Sequence, residues 1–122
     1  MNYEFKIIAF TDDPDFSISL TRECSRYGFS LSFVDLESDL IDEIDDESIS
    51  VILLDINHYK KNPFKLCGSI KITYGVPVFG LLDKFNKEVQ EKSKKAGFDL
   101  IFTKKMLLRS IKEVVIHVSN EE

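Results

Sequence analysis

The sequence lacks the features of membrane and disulfide-rich proteins. No apolar run approaches the roughly 20 residues that a membrane-spanning helix needs, and no signal-peptide pattern opens the chain. We therefore predict a cytoplasmic protein without membrane insertion. The two cysteines, Cys24 and Cys67, have no Cys-x-x-Cys spacing. They are expected to be small buried residues on helices, and neither a metal site nor a disulfide framework is indicated.

An excess of basic residues is also missing. The net charge of −5 argues against nucleic-acid binding, which requires a basic surface. The charge is unevenly distributed, because residues 1–59 carry 14 acids and 3 bases whereas residues 60–122 carry 7 acids and 13 bases. The second half favours either a basic surface that meets an acidic partner or ordinary solvated helix faces.

Five apolar runs predict strands that are buried on both sides. The predicted strands are residues 3–10, 29–34, 50–55, 76–82 and 99–102. Apolar residues at helical spacing follow each of them, and this alternation predicts a parallel sheet with helices on both faces. The connections are short, and no linker, repeat or low-complexity segment occurs. Residues 1–122 are therefore predicted to form a single domain, without an output domain.

The predicted helices are defined by their apolar stripes. These stripes run from residue 16 to 27, 36 to 44, 64 to 70, 85 to 96 and 107 to 118. Core packing explains each stripe, so none of them requires a cofactor.

Carboxylates follow two of the predicted strands. Asp12 and Asp13 come after the first strand, and Asp55 ends the third. Ligands of open parallel sheets bind beyond the carboxyl ends of the strands, and clustered carboxylates favour a hard divalent cation. The first loop has no glycine, and its acids repel phosphate, so dinucleotide and flavin binding are disfavoured.

Individual residues at this edge have alternative interpretations. Asp13 precedes Pro14 and is expected to cap the first helix, whereas Asp12 favours metal binding. Asp55 is either a site residue or a turn-forming aspartate. Lys104 is either a surface lysine or a partner of Asp55 and of a phosphoryl group on it. His58 is expected to be a solvated loop residue, and no catalytic triad can be assembled.

The order and spacing of these residues resemble the receiver domain of two-component response regulators. The resemblance covers about Phe5 to Val118. It depends on Asp12, Asp55, Asn57, Val76-Pro77-Val78, Gly97-Phe98-Asp99 and Thr103-Lys104.

The resemblance implies a single flavodoxin-like (βα)5 domain with a five-stranded parallel sheet in the order 2-1-3-4-5. It implies a signalling module and not an enzyme. Asp55 is expected to accept a phosphoryl group from a histidine kinase or phosphotransfer protein, with Lys104 as its charge partner. Mg2+ is expected to be held by Asp12, Asp55 and the backbone carbonyl of Asn57, with Asp13 as a further candidate ligand.

Several positions depart from the receiver pattern, among them Tyr59 at a usual proline and Pro63 at a usual glycine. Thr11 stands where receivers carry a first acid, which is expected to weaken magnesium binding. Leu82 replaces the hydroxyl residue at the end of the fourth strand, Ile101 replaces the aromatic switch residue, and Lys105 replaces a proline. Asp83 is not expected to take the role of the hydroxyl residue, because side chains alternate faces along a strand.

Three functional hypotheses follow. The first is a stand-alone atypical receiver that signals through protein contact at the surface of the fourth helix, fifth strand and fifth helix. The basic residues of that surface are Lys84, Lys87, Lys92, Lys94, Lys95, Lys104, Lys105, Arg109 and Lys112. The second is a pseudo-receiver that binds proteins without phosphorylation. The third is a flavodoxin-like enzyme or cofactor carrier, which lacks support because no phosphate-cradling loop is present.

Overall fold

The structure, a computed structural model, describes the backbone of residues 4–121 and the side chains of residues 5–118. Five parallel strands form one sheet in the order β2-β1-β3-β4-β5. They are β1 (Glu4–Phe10), β2 (Ser30–Phe33), β3 (Ser48–Asp55), β4 (Val78–Leu82) and β5 (Leu100–Thr103). The predicted α/β class and strand order are confirmed. Each strand overlaps its predicted segment, and the predicted first strand begins at residue 3, outside the described residues.

The strands form because apolar side chains can be buried on both faces of the sheet. Along β1, Ile7 and Ala9 contribute to one core, and Ile8 and Phe10 contribute to the other. All four side chains are at most 1% exposed. Fully burying a large apolar side chain contributes about 1.5–3 kcal/mol, so the central strands anchor the fold and fix where their last residues lie.

Five helices cover the sheet. They are α1 (Pro14–Tyr27), α2 (Leu40–Glu43), α3 (Pro63–Tyr74), α4 (Lys87–Ala96) and α5 (Lys104–Glu121). Side chains of α1 and α5 fill the first core, and those of α2 and α3 fill the second. Both α1 and α3 begin with the proline that the sequence places there. The stripe of α5 packs inward as predicted, with Leu107 and Ile111 buried.

The second helix is shorter than predicted. A short 3-10 helix at Glu37–Asp39 precedes α2, which has only four residues. Within the predicted stripe, Leu40 is fully buried but Ile41 is 72% exposed. The segment buries little apolar surface, and its many carboxylates repel one another at helical spacing, so a longer helix is not supported.

The fourth helix begins later than predicted. Its first residue is Lys87, after the cap Asn86, whose side chain accepts a hydrogen bond from the backbone of Val89 at 3.1 Å. Phe85 therefore precedes the helix, and its side chain is 67% exposed instead of packing in the core. The cap fixes the helix start, and this moves Phe85 into the loop after β4.

Both cysteines lie in the interior of the fold. Cys24 on α1 and Cys67 on α3 are buried and free, as predicted. Among the residues that the structure describes, no helix combines the length and apolar character needed to cross a bilayer.

Candidate functional site

Asp55 forms the floor of a polar cluster at the carboxyl ends of the strands. It is the last residue of β3, and its side chain is fully buried. Its Oδ1 accepts backbone hydrogen bonds from Asn57 at 3.2 Å and His58 at 3.0 Å. Its Oδ2 accepts a hydrogen bond from Thr11 Oγ1 at 2.5 Å and lies 2.9 Å from Lys104 Nζ. Both oxygens of this buried carboxylate are therefore satisfied, as burial of a charge requires.

Lys104 connects three carboxylates. It is the first residue of α5, directly after β5, and it is only 8% exposed. Its Nζ lies 2.9 Å from Asp13, 2.9 Å from Asp55 and 2.7 Å from Asp83. Burial alone lowers the pKa of Lys104, but the hydrogen bonds to these acids outweigh it, so the pKa is raised. The sequence left two interpretations of Lys104 open, a surface lysine or a partner of Asp55. The structure agrees with the second, and the surface-lysine interpretation is wrong.

Asp13 has two functions in the structure. Its Oδ1 accepts the backbone hydrogen bond of Phe16 at 3.2 Å, so the predicted cap of α1 is confirmed. Its Oδ2 binds Lys104 at 2.9 Å, which the sequence did not predict. The hydrogen bond from Lys104 is the main reason why the pKa of Asp13 is lowered.

Asp12 lies apart from this ion-pair cluster. Its side chain is exposed, and its backbone N–H donates to the carbonyl of His58 at 3.1 Å. Among the described residues, Lys104 forms ion pairs with Asp13, Asp55 and Asp83 and not with Asp12. The structure therefore leaves the Asp12 carboxylate facing solvent at the rim of the site.

Asp83 is the residue that the sequence interpretation missed. Its Oδ1 binds Lys104 at 2.7 Å, and its Oδ2 lies 2.6 Å from His58 Nε2. The expectation from strand alternation is wrong as to where Asp83 points, because β4 ends at Leu82 and alternation does not extend into the loop. Its position directly after a buried strand is the same signal that located Asp55.

Asn57 and His58 fix the position of Asp83. The side-chain Oδ1 of Asn57 accepts the backbone N–H of Asp83 at 2.7 Å, so the loops after β3 and β4 are joined. His58 lies in the loop after β3 with 44% of its side chain exposed, as expected, and the sequence did not predict its contact with Asp83. Burial raises the pKa of Asp83, but the hydrogen bonds from Lys104 and His58 outweigh it and lower the pKa.

Comparison with solved structures identifies the architecture. A response regulator from Thermotoga maritima has a TM-score of 0.73 at 15% identity, over 92% of this chain and 98% of that one. A CheY-like receiver domain protein from Methanospirillum hungatei has a TM-score of 0.71 at 19% identity, over 99% and 100%. CheY4 of Vibrio cholerae has a TM-score of 0.71 at 18% identity, over 91% and 98%.

The chain has the fold of response regulator receiver domains. The three solved structures match this chain along nearly their whole length. At identities this low, the likeness establishes the fold alone. No family model matches the sequence, and no curated protein matches it either.

Leu82 and Ile101, which the resemblance places at the receiver switch positions, differ in burial. Leu82 is 1% exposed, so the end of β4 offers a core side chain in place of a hydroxyl. Ile101 is partly buried and packs in the second core. Thr11, at the position of the first receiver acid, instead donates its hydroxyl to Asp55. The residue that contacts Asp55 from the end of β1 is therefore a hydroxyl and not a carboxylate.

The donor set at this edge suits magnesium by type. Carboxylate and carbonyl oxygens are the ligands that Mg2+ prefers, and Asp12, Asp55 and Asn57 supply them at one edge of the sheet. Asp55 already bonds Lys104, so a bound ion would share this carboxylate with the ammonium. The possible ligand atoms of Asp13, His58 and Asp83 also lie within 4.8 Å of one another. Lys104, however, already binds the carboxylates of Asp13 and Asp83.

The basic surface predicted on α4, β5 and α5 is present with one exception. Its exposed members are Lys84, Lys87, Lys92, Lys94, Lys95, Lys105, Arg109 and Lys112. Lys104 does not belong to it, because its ammonium points into the acidic cluster.

Proposed function

We propose that this protein is a phosphorelay receiver that accepts a phosphoryl group on Asp55 from a phosphohistidine of a histidine kinase or phosphotransfer protein. One observation carries the proposal. A buried carboxylate ends β3 of a receiver fold with an ammonium 2.9 Å away. Structural carboxylates are rarely fully buried unless they are paired, and this pair lies where ligands of such sheets bind.

The reaction requires one nucleophile and the neutralisation of negative charge. A carboxylate oxygen of Asp55 attacks phosphorus, the phosphorus–nitrogen bond of the donor histidine breaks, and an acyl phosphate forms on Asp55. The ammonium of Lys104 lies 2.9 Å from that carboxylate and offsets the charge of the phosphoryl oxygens. Mg2+, when held by Asp12, Asp55 and the backbone carbonyl of Asn57, supplies further positive charge. Asp13 is a weaker candidate ligand, because it caps α1 and binds Lys104.

The output of this receiver is protein contact at the basic surface of α4, β5 and α5. Phosphorylation adds about −1.5 to −2 charges, which changes the field at that surface. Leu82 offers no hydroxyl to the phosphoryl group, and Ile101 is aliphatic, so the accompanying conformational change is small. The protein acts in the cytoplasm as a signalling module and not as an enzyme.

Phosphodonor labelling tests the proposal. Purified protein is incubated with acetyl phosphate and Mg2+, and the phosphoryl adduct is measured by intact mass. The adduct is expected in the wild type and absent in Asp55→Asn. Asp99→Asn is the control, because Asp99 pairs with Lys71 at 2.8 Å away from the site and its loss leaves Asp55 untouched. An adduct that persists in Asp55→Asn, or no adduct in the wild type, contradicts the proposal.

The alternative is a pseudo-receiver that binds its partner without phosphorylation. The three carboxylates around Lys104 favour this alternative, because they compete with a phosphoryl group for the ammonium. It requires that partner binding be equal in the wild type and in Asp55→Asn, with and without a phosphodonor.

A further inference from the structure

Asp83 lies above Asp55 in the site and is held at three points. Its Oδ1 binds Lys104, its Oδ2 binds His58, and its backbone N–H donates to Asn57 Oδ1. Even so, 46% of its side chain is exposed, whereas the side chain of Asp55 has no exposed surface. Asp83 is therefore the more accessible of these two carboxylates on Lys104.

Three carboxylates surround the ammonium of Lys104 and compete with a phosphoryl oxygen for its hydrogens. An ammonium has three N–H donors, and three carboxylates lie within 2.9 Å of this one. A phosphoryl group on Asp55 that pairs with Lys104 must therefore replace one of the carboxylates. The phosphoryl group can take over the place that the Asp55 carboxylate held, but a second hydrogen bond to Lys104 requires that Asp13 or Asp83 leave.

Of the two other carboxylates, Asp83 is the one that can leave. Asp13 is tied to α1 by its cap with Phe16, and its side chain is 23% exposed. Asp83 is twice as exposed at 46% and lies in a loop. A cleft of about 490 Å³ adjoins Asp83 and gives its side chain room to turn away. Its lining residues are Asn57, Leu82, Asp83, Lys84, Phe85, Asn86 and Val89.

We infer that Asp83, held by His58, controls phosphorylation by occupying the place on Lys104 that a phosphoryl group takes. The inference rests on the proposed function of Asp55. Asp83 is a positioning residue, since it acts through Lys104 and not on the reacting atoms. Its carboxylate satisfies Lys104 in the unphosphorylated protein and repels an anionic donor. His58 binds the second oxygen of Asp83 and keeps it in this position.

Labelling rates of three proteins test the inference. The initial rate of Asp55 phosphorylation by acetyl phosphate with Mg2+ is measured by intact mass for the wild type, Asp83→Asn and Asp35→Asn. Asp35 is the control because it is exposed and its ion-pair partner Lys60 lies 4.0 Å away, so its substitution removes the same charge outside the cluster. Asp83→Asn keeps an acceptor oxygen but loses the charge, and it is expected to react roughly tenfold faster, the order expected when a charge-assisted hydrogen bond becomes a neutral one. Asp35→Asn is expected to react at the wild-type rate. Equal rates for Asp83→Asn and the wild type, or equal acceleration in Asp35→Asn, overturn the inference.

A second measurement keeps the inference separate from the proposed function. If Asp55 is labelled in none of the proteins, the proposed function fails, and acylation of Lys104 decides the inference. A brief pulse of sulfo-NHS acetate followed by peptide mass analysis gives the modification rate of Lys104 relative to Lys71, whose partner Asp99 is unchanged. Asp83→Asn is expected to raise this ratio several-fold, because the ammonium is then held by two carboxylates instead of three. An unchanged ratio overturns the inference whatever the result for Asp55.

Discussion

The ammonium of Lys104 lies 2.9 Å from the carboxylate of Asp55, and the two side chains are 9% and 0% exposed. Two buried charges of opposite sign stabilise the native state only as a pair, because each alone bears a large desolvation cost. The contact therefore gives Lys104 a structural role beside the one proposed for it, and its loss has a consequence for folding that can be measured.

Replacing Lys104 with Met is expected to lower the free energy of unfolding by about 3 kcal/mol. The substitution leaves Asp55 buried without its counter-ion, and breaking a buried pair on one side typically costs about 3–5 kcal/mol. Urea unfolding followed by circular dichroism measures the change. Lys105→Met is the control, since Lys105 is exposed and surface substitutions usually stay within about 0.5 kcal/mol. Equal losses in the two variants contradict the prediction.

The adjacent acids Asp12 and Asp13 are expected to differ in their contribution to stability. Asp13→Ala removes the cap of α1 and one partner of Lys104, and loss of a cap alone costs about 1 kcal/mol. Asp12→Ala removes an exposed side chain and is expected to change stability by less than about 0.5 kcal/mol. Thermal unfolding of the two variants, compared with wild type, measures this difference. A larger loss in Asp12→Ala would show that the assignment of the cap is wrong.

Stability is expected to fall in acid because of Asp13 and Asp83. Both carboxyls have a pKa below their ordinary value of 3.8 in the folded protein. The stability they contribute is complete above about pH 4 and is lost as the pH falls through the folded pKa, because the unfolded state then binds more protons. The urea midpoint of the wild type is expected to decline as the pH is lowered from neutral into the acid range. The midpoint of Asp83→Asn is expected to decline less steeply. The same slope in both proteins contradicts this attribution.

Most of the fold could be predicted because its signals are local and repeated. The run at Val51–Leu54 is apolar on both faces, and the prolines and glycines mark helix ends, so strands and helices follow from pattern alone. The segment containing Leu40 could not be predicted equally well. Its apolar spacing is typical of a helix, yet the repulsion among its acids and the exposure of Ile41 depend on tertiary packing.

The meeting of Asp55 and Lys104 could be predicted from the sequence, but the place of Asp83 beside them could not. Asp55 ends an apolar run and Lys104 follows one, and the carboxyl ends of parallel strands lie at the same edge of a sheet. Asp83 follows a strand in the same way, but the alternation rule was applied one residue beyond the end of β4. The contact between Asp83 and His58 joins two loops, and no periodic pattern in the sequence records which loop side chains meet.

Two glycines are expected to respond to alanine in opposite directions. A Cβ on Gly80 in β4 would lie 2.7 Å from the Cδ1 atoms of Ile101 and Ile56 and 3.0 Å from Phe98. Overpacking of this kind costs about 1–3 kcal/mol. A Cβ on Gly68 in α3 meets no atom within 4 Å, and replacing a glycine inside a helix stabilises by about 0.5–1 kcal/mol. Urea unfolding of Gly80→Ala and Gly68→Ala measures both effects, and a stable Gly80→Ala protein would contradict the tight packing of β4 against β5.

The thiols of Cys24 and Cys67 are expected to be unreactive in the folded protein. Both side chains are at most 2% exposed, and burial raises the pKa of each thiol to about 11. The reactive thiolate is therefore scarce at about pH 8, where an ordinary cysteine is partly ionised. Reaction with Ellman's reagent is expected to be slow without urea and rapid for two thiols once the chain unfolds. Cys24→Ala and Cys67→Ala assign each thiol, and rapid reaction of either one under native conditions would mean that its helix opens locally.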